Sequence, residues 1–417
     1  MKIALLTLGT RGDVQPYAVL GQSLVKRGHS VILCTARNFD GLAQEYGLEF
    51  NPIEFDYQEL LASDEGKKIL KANPLAIKKN LARWIYPLVE NSLNEFYRLA
   101  RAYDKIIYHP KTLADAFAHR MPEKMIAAAV VPALEPTSEF RNPALSGFPI
   151  PSFLNKFSYR LTGLSRRMFA KPISRFRERN NLPNPETRIE IPFIYGISSH
   201  FLTRPKDYPE SHRFMGFWFT ESRDKLSSEL ERFISEGEPP LVITFGSMPF
   251  QGRVSITGLI NAVTARLGAR VVLVKGWGVS DDETLNTNKN VYVTETAPFD
   301  ALFPKVKAVI HHGGIGTTAE CLRAGKPMLI CPVFYPIGDQ RFWGDQAVKK
   351  GVGVKPLPVS KITVAKFIER VKELLNKKTL YINSDRLAEK ISGENGVREA
   401  ARIIEKSSHL SEAREFR

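Results

Sequence analysis

Cysteine is scarce in this chain of 417 residues: the three that occur are Cys34, Cys321 and Cys331, and none belongs to a Cys-x-x-Cys pair. An odd number of scattered cysteines argues against a disulfide framework and against a structural zinc site. We therefore expect a protein of a reducing, cytoplasmic setting.

Long apolar runs are also missing. The longest near-apolar stretch, 125–134, is interrupted by Pro132. It is far shorter than the roughly 18 residues that cross a bilayer. The apolar residues 2–8 end directly at Gly9, and this short run predicts a first strand rather than a signal peptide.

Acidic residues are outnumbered, with 44 Asp and Glu against 59 Lys and Arg, so the net charge is +15. Hydrophobic residues make up 43% and charged residues 25%, which is ordinary for a globular protein. The length suits two domains at about 100–200 residues each. So basic a chain suggests a nucleic acid, an anionic membrane surface or a phosphate-bearing small molecule as its partner.

Strand and helix patterns alternate in two blocks, which predicts two α/β domains with parallel sheets. The pattern changes near residue 210, so we predict domains at 1–208 and 209–390 and a terminal helical segment at 391–417. Helices are predicted at 14–27, 75–102, 224–235, 256–267, 317–324, 344–350, 363–376 and 397–406. Strands are predicted at 3–8, 31–35, 105–108, 125–131, 240–245, 271–274, 291–293, 308–311 and 328–331.

The second block contains a glycine-rich turn between a strand and a helix, with the sequence His311-His-Gly-Gly-Ile-Gly-Thr-Thr-Ala-Glu320. Glycines allow a ligand to approach the backbone, and free N–H groups at a helix start favour an anion. The turn matches neither the P-loop nor the dinucleotide fingerprint. The alternative is a tight strand-to-helix turn with no ligand.

A second polar stretch, Gly338-Asp339-Gln340, follows the predicted strand 328–331. It therefore lies at the carboxyl end of the sheet, where open α/β folds bind ligands. Neighbouring Asp and Gln side chains can bond vicinal hydroxyl groups. The alternative is that Asp339 only caps the helix beginning near Gln340.

Together these stretches, with Arg323-Ala-Gly-Lys-Pro327, resemble the donor-binding half of the family-1 glycosyltransferases of the GT-B fold. The stretches Leu8–Pro16 and Ala133–Pro143 resemble the opening loop and the acceptor-side loop of the subgroup that contains sterol and antibiotic glycosyltransferases. The resemblance implies two Rossmann-like doubly wound domains facing across a cleft. The first would bind an acceptor and the second a nucleotide sugar, and the last helix would cross back to the first domain.

The resemblance also implies roles for single residues. Phe299 departs from the pattern, because relatives often carry His there, and this leaves the choice between uridine and thymidine open. The implied contacts are His312, Gly314, Gly316, Thr317 and Ser247 with the diphosphate, Trp277 with the region of the base, Glu320 with the ribose, and Asp339 and Gln340 with the sugar.

Asp13 is the predicted catalytic base, because the subgroup carries Asp where many family members carry His. Its carboxylate would accept the proton of an acceptor hydroxyl. The alternative is a capping role at the start of the helix, and the two roles are compatible. His109, after the strand 105–108, either lines the cleft or is structural.

The reaction expected from the resemblance is transfer of a hexose, glucose being favoured, from a UDP-sugar to a hydroxyl of a lipophilic small molecule, with inversion. No Asp-x-Asp triplet occurs, so we expect no metal and no cofactor beyond the donor. The alternatives are a nucleotide-sugar epimerase and a non-catalytic nucleotide- or nucleic-acid-binding protein. We expect no nucleic-acid partner, because no aromatic-basic recognition motif supports one.

The positive charge is concentrated in residues 151–190, which contain nine Lys and Arg against three acids. Apolar residues recur at helical spacing within it, which predicts a basic amphipathic helix. One interpretation is peripheral contact of residues 153–179 with an anionic membrane. The alternative is a solvated basic face over an ordinary core stripe. The apolar residues of the pattern are Leu154, Phe157, Leu161, Leu164, Met168 and Phe169.

Overall fold

The computed structural model describes residues 1–54, 85–183, 190–220, 224–246, 248, 250, 252–276, 285 and 287–415. Its thirteen described strands form two parallel sheets. The strands are β1 (Lys2–Leu6), β2 (Ser30–Ala36), β3 (Glu49–Ile53), β4 (Lys105–Tyr108), β5 (Met125–Ala129), β6 (Phe193–Tyr195), β7 (His212–Phe214), β8 (Leu241–Thr244), β9 (Val271–Val274), β10 (Val291–Thr294), β11 (Ala308–His311), β12 (Met328–Ile330) and β13 (Gly353–Val354).

The first sheet has the order β3-β2-β1-β4-β5-β6-β7. At its centre, β1 pairs with β2 on one side and with β4 on the other, so that Leu6 lies opposite both Cys34 and Tyr108. Strand order therefore reverses between β1 and β4. Such a reversal opens a crevice beyond the carboxyl ends of the two strands, where open α/β sheets bind ligands.

The second sheet has the order β10-β9-β8-β11-β12-β13 and repeats the same plan. Its reversal lies between β8 and β11, where Thr244 is the partner of His311. The loops that follow Thr244 and His311 consequently leave the sheet side by side. Two parallel sheets of this kind give the predicted pair of Rossmann-like domains.

The helices cover both faces of each sheet. Helix α1 begins earlier than predicted, at Arg11, because Thr10 and Asp13 form a capping box there. The described helices are α1 (Arg11–Lys26), α2 (Asp40–Glu45), α3 (Tyr86–Ala102), α4 (Asp115–Ala118), α5 (Asn155–Arg167), α6 (Ala170–Arg179), α7 (Ser228–Ser235), α8 (Ile256–Leu267), α9 (Phe299–Leu302), α10 (Ile315–Arg323), α11 (Gln340–Lys349), α12 (Val364–Asn376), α13 (Lys378–Ser392) and α14 (Gly396–Glu415).

Sequence patterns found most of the long elements, but they missed the fifteen-residue helix α13 and the short strands. Strands β6 and β13 have only three and two residues, too few to show a period of two. Strand β3 contains Asn51 and Pro52, which are unfavourable in strands, and it is tolerated at an edge of the sheet. Of the helix predicted at 75–102, residues 75–84 lie outside the described residues and 86–102 are helical.

The transition between the two sheets falls after the position expected from the sequence. Strand β7 pairs with β6 in the first sheet, so that sheet ends at Phe214, and the second begins with Leu241. The predicted boundary at residue 208 lies before β7, because a strand of three residues gives no signal of its own.

Helix α14 packs on the first half of the molecule. Its residues Ala400, Ala401 and Ile404 are buried in the same core cluster as α1. The Glu405 carboxylate lies 2.5 Å from the guanidinium of Arg27 and 3.0 Å from Nε2 of His29. These contacts hold helix α14 against the end of α1. None of the described helices is long and apolar enough to span a membrane.

Candidate active site

Asp13 and Lys111 meet at the reversal point of the first sheet. Asp13 lies in the first turn of α1, after β1, and Lys111 lies just after β4. The Lys111 Nζ atom is 2.5 Å from Oδ1 of Asp13. The other oxygen, Oδ2, accepts the N–H of Thr10 at 3.0 Å. The carboxylate is thus held at two points, facing the crevice.

Asp13 stabilises the start of α1 as well. Its bond to Thr10 completes the capping box. A side chain at Gly9 would place its Cβ 2.1 Å from Oδ2 of Asp13, and Gly9 has a φ of +144°, so only glycine fits there. The capping role is therefore present, and it leaves Oδ1 directed to Lys111.

The surroundings of Asp13 favour its ionised form. Burial alone would raise the pKa of this carboxyl, but Lys111, His109 and the Thr10 amide outweigh it and hold the pKa below its ordinary value. His109 itself is buried, and burial with the nearby Lys111 lowers its pKa to about 3. Its Nδ1 atom accepts the N–H of Lys111 at 3.0 Å, so neutral His109 orders the loop that carries the lysine.

The glycine-rich turn lies at the reversal point of the second sheet. Gly314 is the N-cap residue of α10, and no side chain caps the helix start. The first N–H groups of a helix have no partner within it, so they are available to an anion. The space around Gly316 is open, since a Cβ there would meet nothing within 4 Å. These features favour a ligand site over a plain turn.

His312 is packed over this helix start. A Cβ on Gly314 would lie 2.5 Å from Nε2 of His312, so the glycine is needed for the ring to take its place. Burial lowers the pKa of His312 to about 4, and the ring is therefore neutral near pH 7. Its Nδ1 atom is buried without a hydrogen-bond partner among the described residues. Thr317 lies half-buried in the first turn of the same helix.

Glu320 lies one turn further along α10. Burial raises the pKa of its carboxyl to about 7, although the Arg323 guanidinium, 2.6 Å away, acts in the opposite direction. Arg323 also lies over the ring of Phe219 and donates to the backbone oxygen of Thr220. Glu320 is therefore held in a partly buried ion pair with Arg323, and its carboxyl titrates near neutral pH.

Asp339 and Gln340 have different surroundings although they are neighbours. Asp339 is the N-cap residue of α11 but makes no side-chain cap bond, and its Oδ2 accepts the Trp343 Nε1–H at 2.8 Å instead. The interpretation of Asp339 as a simple helix cap is therefore wrong. The Oε1 atom of Gln340 accepts the N–H groups of Val333 and Phe334 at 2.7 and 2.9 Å, so Gln340 shapes the preceding loop.

The two reversal points face each other across a cleft. The Gly338 N–H donates to the Ala144 oxygen at 2.9 Å, and Ser146 Oγ donates to the Gly338 oxygen at 3.2 Å. Burial raises the pKa of Asp339, and Lys111 from the opposite half partly offsets this effect. The fold thus brings Asp13, Lys111 and Asp339 into one electrostatic site.

Two predicted site residues, Ser247 and Trp277, lie outside the described residues. Their neighbours show that the loops after β8, β9 and β11 converge: a Cβ on Gly276 would lie 2.3 Å from the Gly246 oxygen, and one on Gly246 would touch His312. Phe299, the departure from the family pattern, stacks on Phe303 with ring centroids 4.6 Å apart.

Lys111 is the site residue that the sequence analysis missed. The available signal was a basic residue, in the run Tyr108-His-Pro-Lys111, just past a central strand. That signal is weak by itself, because it depends on knowing that β4 is adjacent to β1. Only the strand order places Lys111 against Asp13.

Comparison with known families supports this architecture in both halves. Residues 3–98 match the glycosyltransferase family 28 N-terminal domain. Residues 262–406 match the erythromycin biosynthesis protein CIII-like C-terminal domain. The glycosyltransferase VinC, solved in complex with dTDP, superposes with a TM-score of 0.71 at 18% identity, covering 98% of this chain and all of VinC.

Two relatives align along nearly the whole chain. The sterol 3-beta-glucosyltransferase UGT80A2 of Arabidopsis thaliana is 31% identical over 433 aligned residues, covering 100% of this chain and 66% of the relative. The O-mycaminosyltylonolide 6-deoxyallosyltransferase of Streptomyces fradiae is 29% identical, covering 97% of both chains. The chain thus spans just under two thirds of the first of these relatives.

The fold, the two facing reversal points and the relatives all indicate the same class of enzyme. The chain belongs to the family-1 glycosyltransferases of the GT-B fold. Its relatives include sterol glucosyltransferases and a 6-deoxyallosyltransferase, to which it is similar along nearly its whole length.

Proposed function

We propose that the protein transfers a hexose, with glucose favoured, from a UDP-sugar to a hydroxyl group of a lipophilic small molecule, with inversion at the anomeric carbon. The observation that carries the proposal is the contact of Asp13 with Lys111 at the reversal point of the first sheet, with Asp339 of the opposite half within electrostatic range of both. A base and a sugar-binding carboxylate facing one cleft suit attack by an acceptor oxygen on a bound sugar.

Asp13 is the proposed general base. Its low pKa keeps it ionised near neutral pH, and its Oδ1 atom points to Lys111 in the cleft. It would take the proton of the acceptor hydroxyl as the oxygen attacks the anomeric carbon, and the bond to the diphosphate would break on the opposite side. Sterol or triterpenoid, polyketide, phenolic and lipid hydroxyls all fit this chemistry.

The donor's diphosphate would lie at the start of α10. The uncapped N–H groups after Gly314, with His312 and Thr317 beside them, would stabilise the charge on the leaving diphosphate without a metal ion. Glu320 would accept the ribose hydroxyls. Asp339 would accept hydroxyls of the sugar, and Gln340 would meet them through its amide group.

The cellular setting belongs to the same proposal. A lipophilic acceptor is concentrated in membranes, so we place the enzyme in the cytoplasm in peripheral contact with an anionic membrane through residues 153–179. The three cysteines are free and buried, which is compatible with a reducing compartment.

The decisive experiment is mass spectrometry of products from panels of donors and acceptors, with wild type beside Asp13→Asn. Asparagine keeps an oxygen for the Thr10 N–H but is no base, so we expect sugar transfer to fall about 10²–10⁴-fold while UDP binding is retained. Transfer at the wild-type rate by Asp13→Asn would remove the base assignment.

Two further outcomes separate the alternatives. An epimerised nucleotide sugar, or free monosaccharide as the sole product, would favour the epimerase. Transfer that is lost in excess chelator and restored by a divalent ion would contradict metal independence.

A further inference from the structure

Helix α5 buries uncharged polar side chains and exposes apolar ones. Asn155, Ser158 and Tyr159 are buried. Phe153, in the turn that leads into the helix, is 83% exposed, and Phe157 and Leu161 are 48% and 50% exposed. These three residues follow one another at a spacing of four, so they form one stripe. The alternative of a basic face over an ordinary core stripe therefore does not hold at Phe157 and Leu161.

Hydrogen bonds fix this orientation of the helix. Asn155 Nδ2 donates to the Ser138 oxygen at 2.8 Å. Ser158 Oγ accepts the Asn142 N–H at 2.8 Å and donates to the Asn155 oxygen at 2.6 Å. Turning the stripe inward would break these bonds and bury apolar groups against polar ones, so the exposed stripe is a built feature of the fold.

Other exposed apolar side chains lie near the stripe in sequence and in the loop of the second half that contacts the segment before α5. Ile337, from the second half, is also exposed. It adjoins the segment before α5, because its neighbours Pro336 and Gly338 contact Gly147 and Ala144. Contiguous exposed apolar patches mark interaction sites. Half of the exposed large apolar side chains in the described part of the chain lie between residues 148 and 168, namely Phe148, Phe153, Leu154, Phe157, Leu161 and Met168.

Most of the charge along this segment is positive, although two acidic groups lie nearby: Asp207 pairs with Lys156 at 3.2 Å, and Asp345 lies 3.8 Å from Arg141. No acidic residue occurs between Glu139 and Glu178 in the sequence. Arg160, Arg167 and Lys171 are exposed on or just after α5. An apolar stripe with a basic border suits the boundary between headgroups and acyl chains of an anionic bilayer. A second copy of this chain, with a net charge of +15, would be repelled from the same surface.

We propose that the turn and helix 152–167 dock on an anionic lipid bilayer, with Phe153, Phe157 and Leu161 inserted and the basic residues at the headgroups. The segment before this helix contacts Gly338, next to Asp339, so docking would place the mouth of the cleft at the membrane. This role of docking in acceptor delivery rests on the proposed function, because it assumes an acceptor dissolved in the bilayer. Lipid binding itself does not depend on it.

The test compares sedimentation of the full chain with two vesicle types, pure phosphatidylcholine and phosphatidylcholine with 30 mol% phosphatidylglycerol. The variant F153S/F157S/L161S removes the stripe at exposed positions. The matched control V348S/I382S removes exposed apolar side chains from the second half. We expect wild type and control to bind the anionic vesicles, more weakly at high salt, and the triple variant to bind at least tenfold less.

Calorimetry with UDP keeps this test separate from the test of sugar transfer. The triple variant should bind UDP as wild type does, which shows that it is folded. Equal vesicle binding by triple variant and wild type, or no binding by wild type, would overturn the proposal. So would a dimer of the wild type, seen by light scattering, that the triple variant dissolves.

Discussion

At the scale of single residues, the site depends on charges placed in partly buried positions. Asp13 is held by Lys111 and Thr10, and Glu320 by Arg323. Burial opposes ionisation of both carboxyls. At Asp13 the neighbouring charges and hydrogen bonds outweigh burial and lower the pKa, whereas at Glu320 burial prevails and raises it. The two carboxyls therefore titrate in different pH ranges, and each gives a prediction.

Replacing Lys111 with Met removes the ammonium 2.5 Å from Asp13. The pKa of Asp13 then rises, because burial is no longer outweighed, and the base becomes protonated at a higher pH. We expect the acidic limb of the kcat/KM profile to move up by about 1–3 pH units, with activity recovering at alkaline pH. Lys111→Arg is the control, and the acidic limb of its kcat/KM profile should stay near the pH of the wild type. An unshifted profile in Lys111→Met would contradict the role.

Glu320 should make nucleotide binding depend on pH. Its raised pKa of about 7 means that it gains charge as the pH rises through neutrality, and the ionised form is the better acceptor for ribose hydroxyls. We expect UDP affinity to increase by about tenfold across this range and Glu320→Gln to abolish the change. Titration calorimetry measures it. 2′,3′-Dideoxy-UDP, which lacks the hydroxyls, should show no such increase in wild type, and a slope equal to that of UDP would exclude the contact.

At the scale of elements, the basic stretch 151–190 divides into two parts. In α6, Arg175 and Arg179 lie 3.2 and 3.0 Å from the oxygens of Glu90, which is buried on α3. Those two charges hold the fold together. In α5, Lys156 pairs with Asp207 at 3.2 Å, whereas the exposed Arg160 and Arg167 lie on the helix that carries the exposed apolar stripe. The composition of the stretch could not separate these roles, because both helices are basic and amphipathic.

Glu90→Gln should destabilise the packing of α3 on α6. Two guanidinium groups lose their anionic partner, and we expect the free energy of unfolding to fall by about 1–3 kcal/mol. Urea denaturation followed by circular dichroism measures the change. Glu178→Gln, at an exposed position on the same helix α6, is the control and should stay within about 0.5 kcal/mol of wild type. Equal stability of the two variants would show that the pair contributes nothing.

At the scale of the whole molecule, the two halves are joined at more than one place. Phe201 stacks on Trp343 across the halves, with ring centroids 6.0 Å apart. Helix α14 returns to α1. The loop 142–147 touches the loop 335–339 through Gly147 and Gly338. The last of these contacts lies beside Asp339.

Gly147→Ala tests whether that contact matters for the reaction. The added Cβ would lie 2.3 Å from the Pro336 oxygen, so the loops must separate. We expect kcat/KM for sugar transfer to fall by about 10–100-fold, because acceptor and donor lose alignment. UDP affinity should be unchanged, since the proposed nucleotide site lies within the second half. Gly163→Ala, where a Cβ meets nothing within 4 Å, is the control. Equal rates for the two variants would contradict the proposed alignment.

Much of this architecture follows from local sequence. The apolar runs of β1, β4, β8 and β11 predict buried parallel strands, because only a sheet covered on both faces buries side chains on both sides. The glycine-rich turn after His311 and the Asp339-Gln340 pair are recognisable because their chemistry is contiguous in the chain. The sequence by itself therefore determined the fold class, and it singled out the donor-half residues whose roles stay predictions.

Tertiary structure decided what depends on strand order and on which side of a helix is buried. Asp13 and Lys111 are 98 residues apart in sequence, and they meet only because β4 lies beside β1. The polar side of α5 is buried only because Ser138 and Asn142 offer partners there. Residue patterns record the spacing of apolar and basic side chains along one helix. They do not record which neighbours the fold brings against it, and those neighbours set both the charge at Asp13 and the exposed surface of α5.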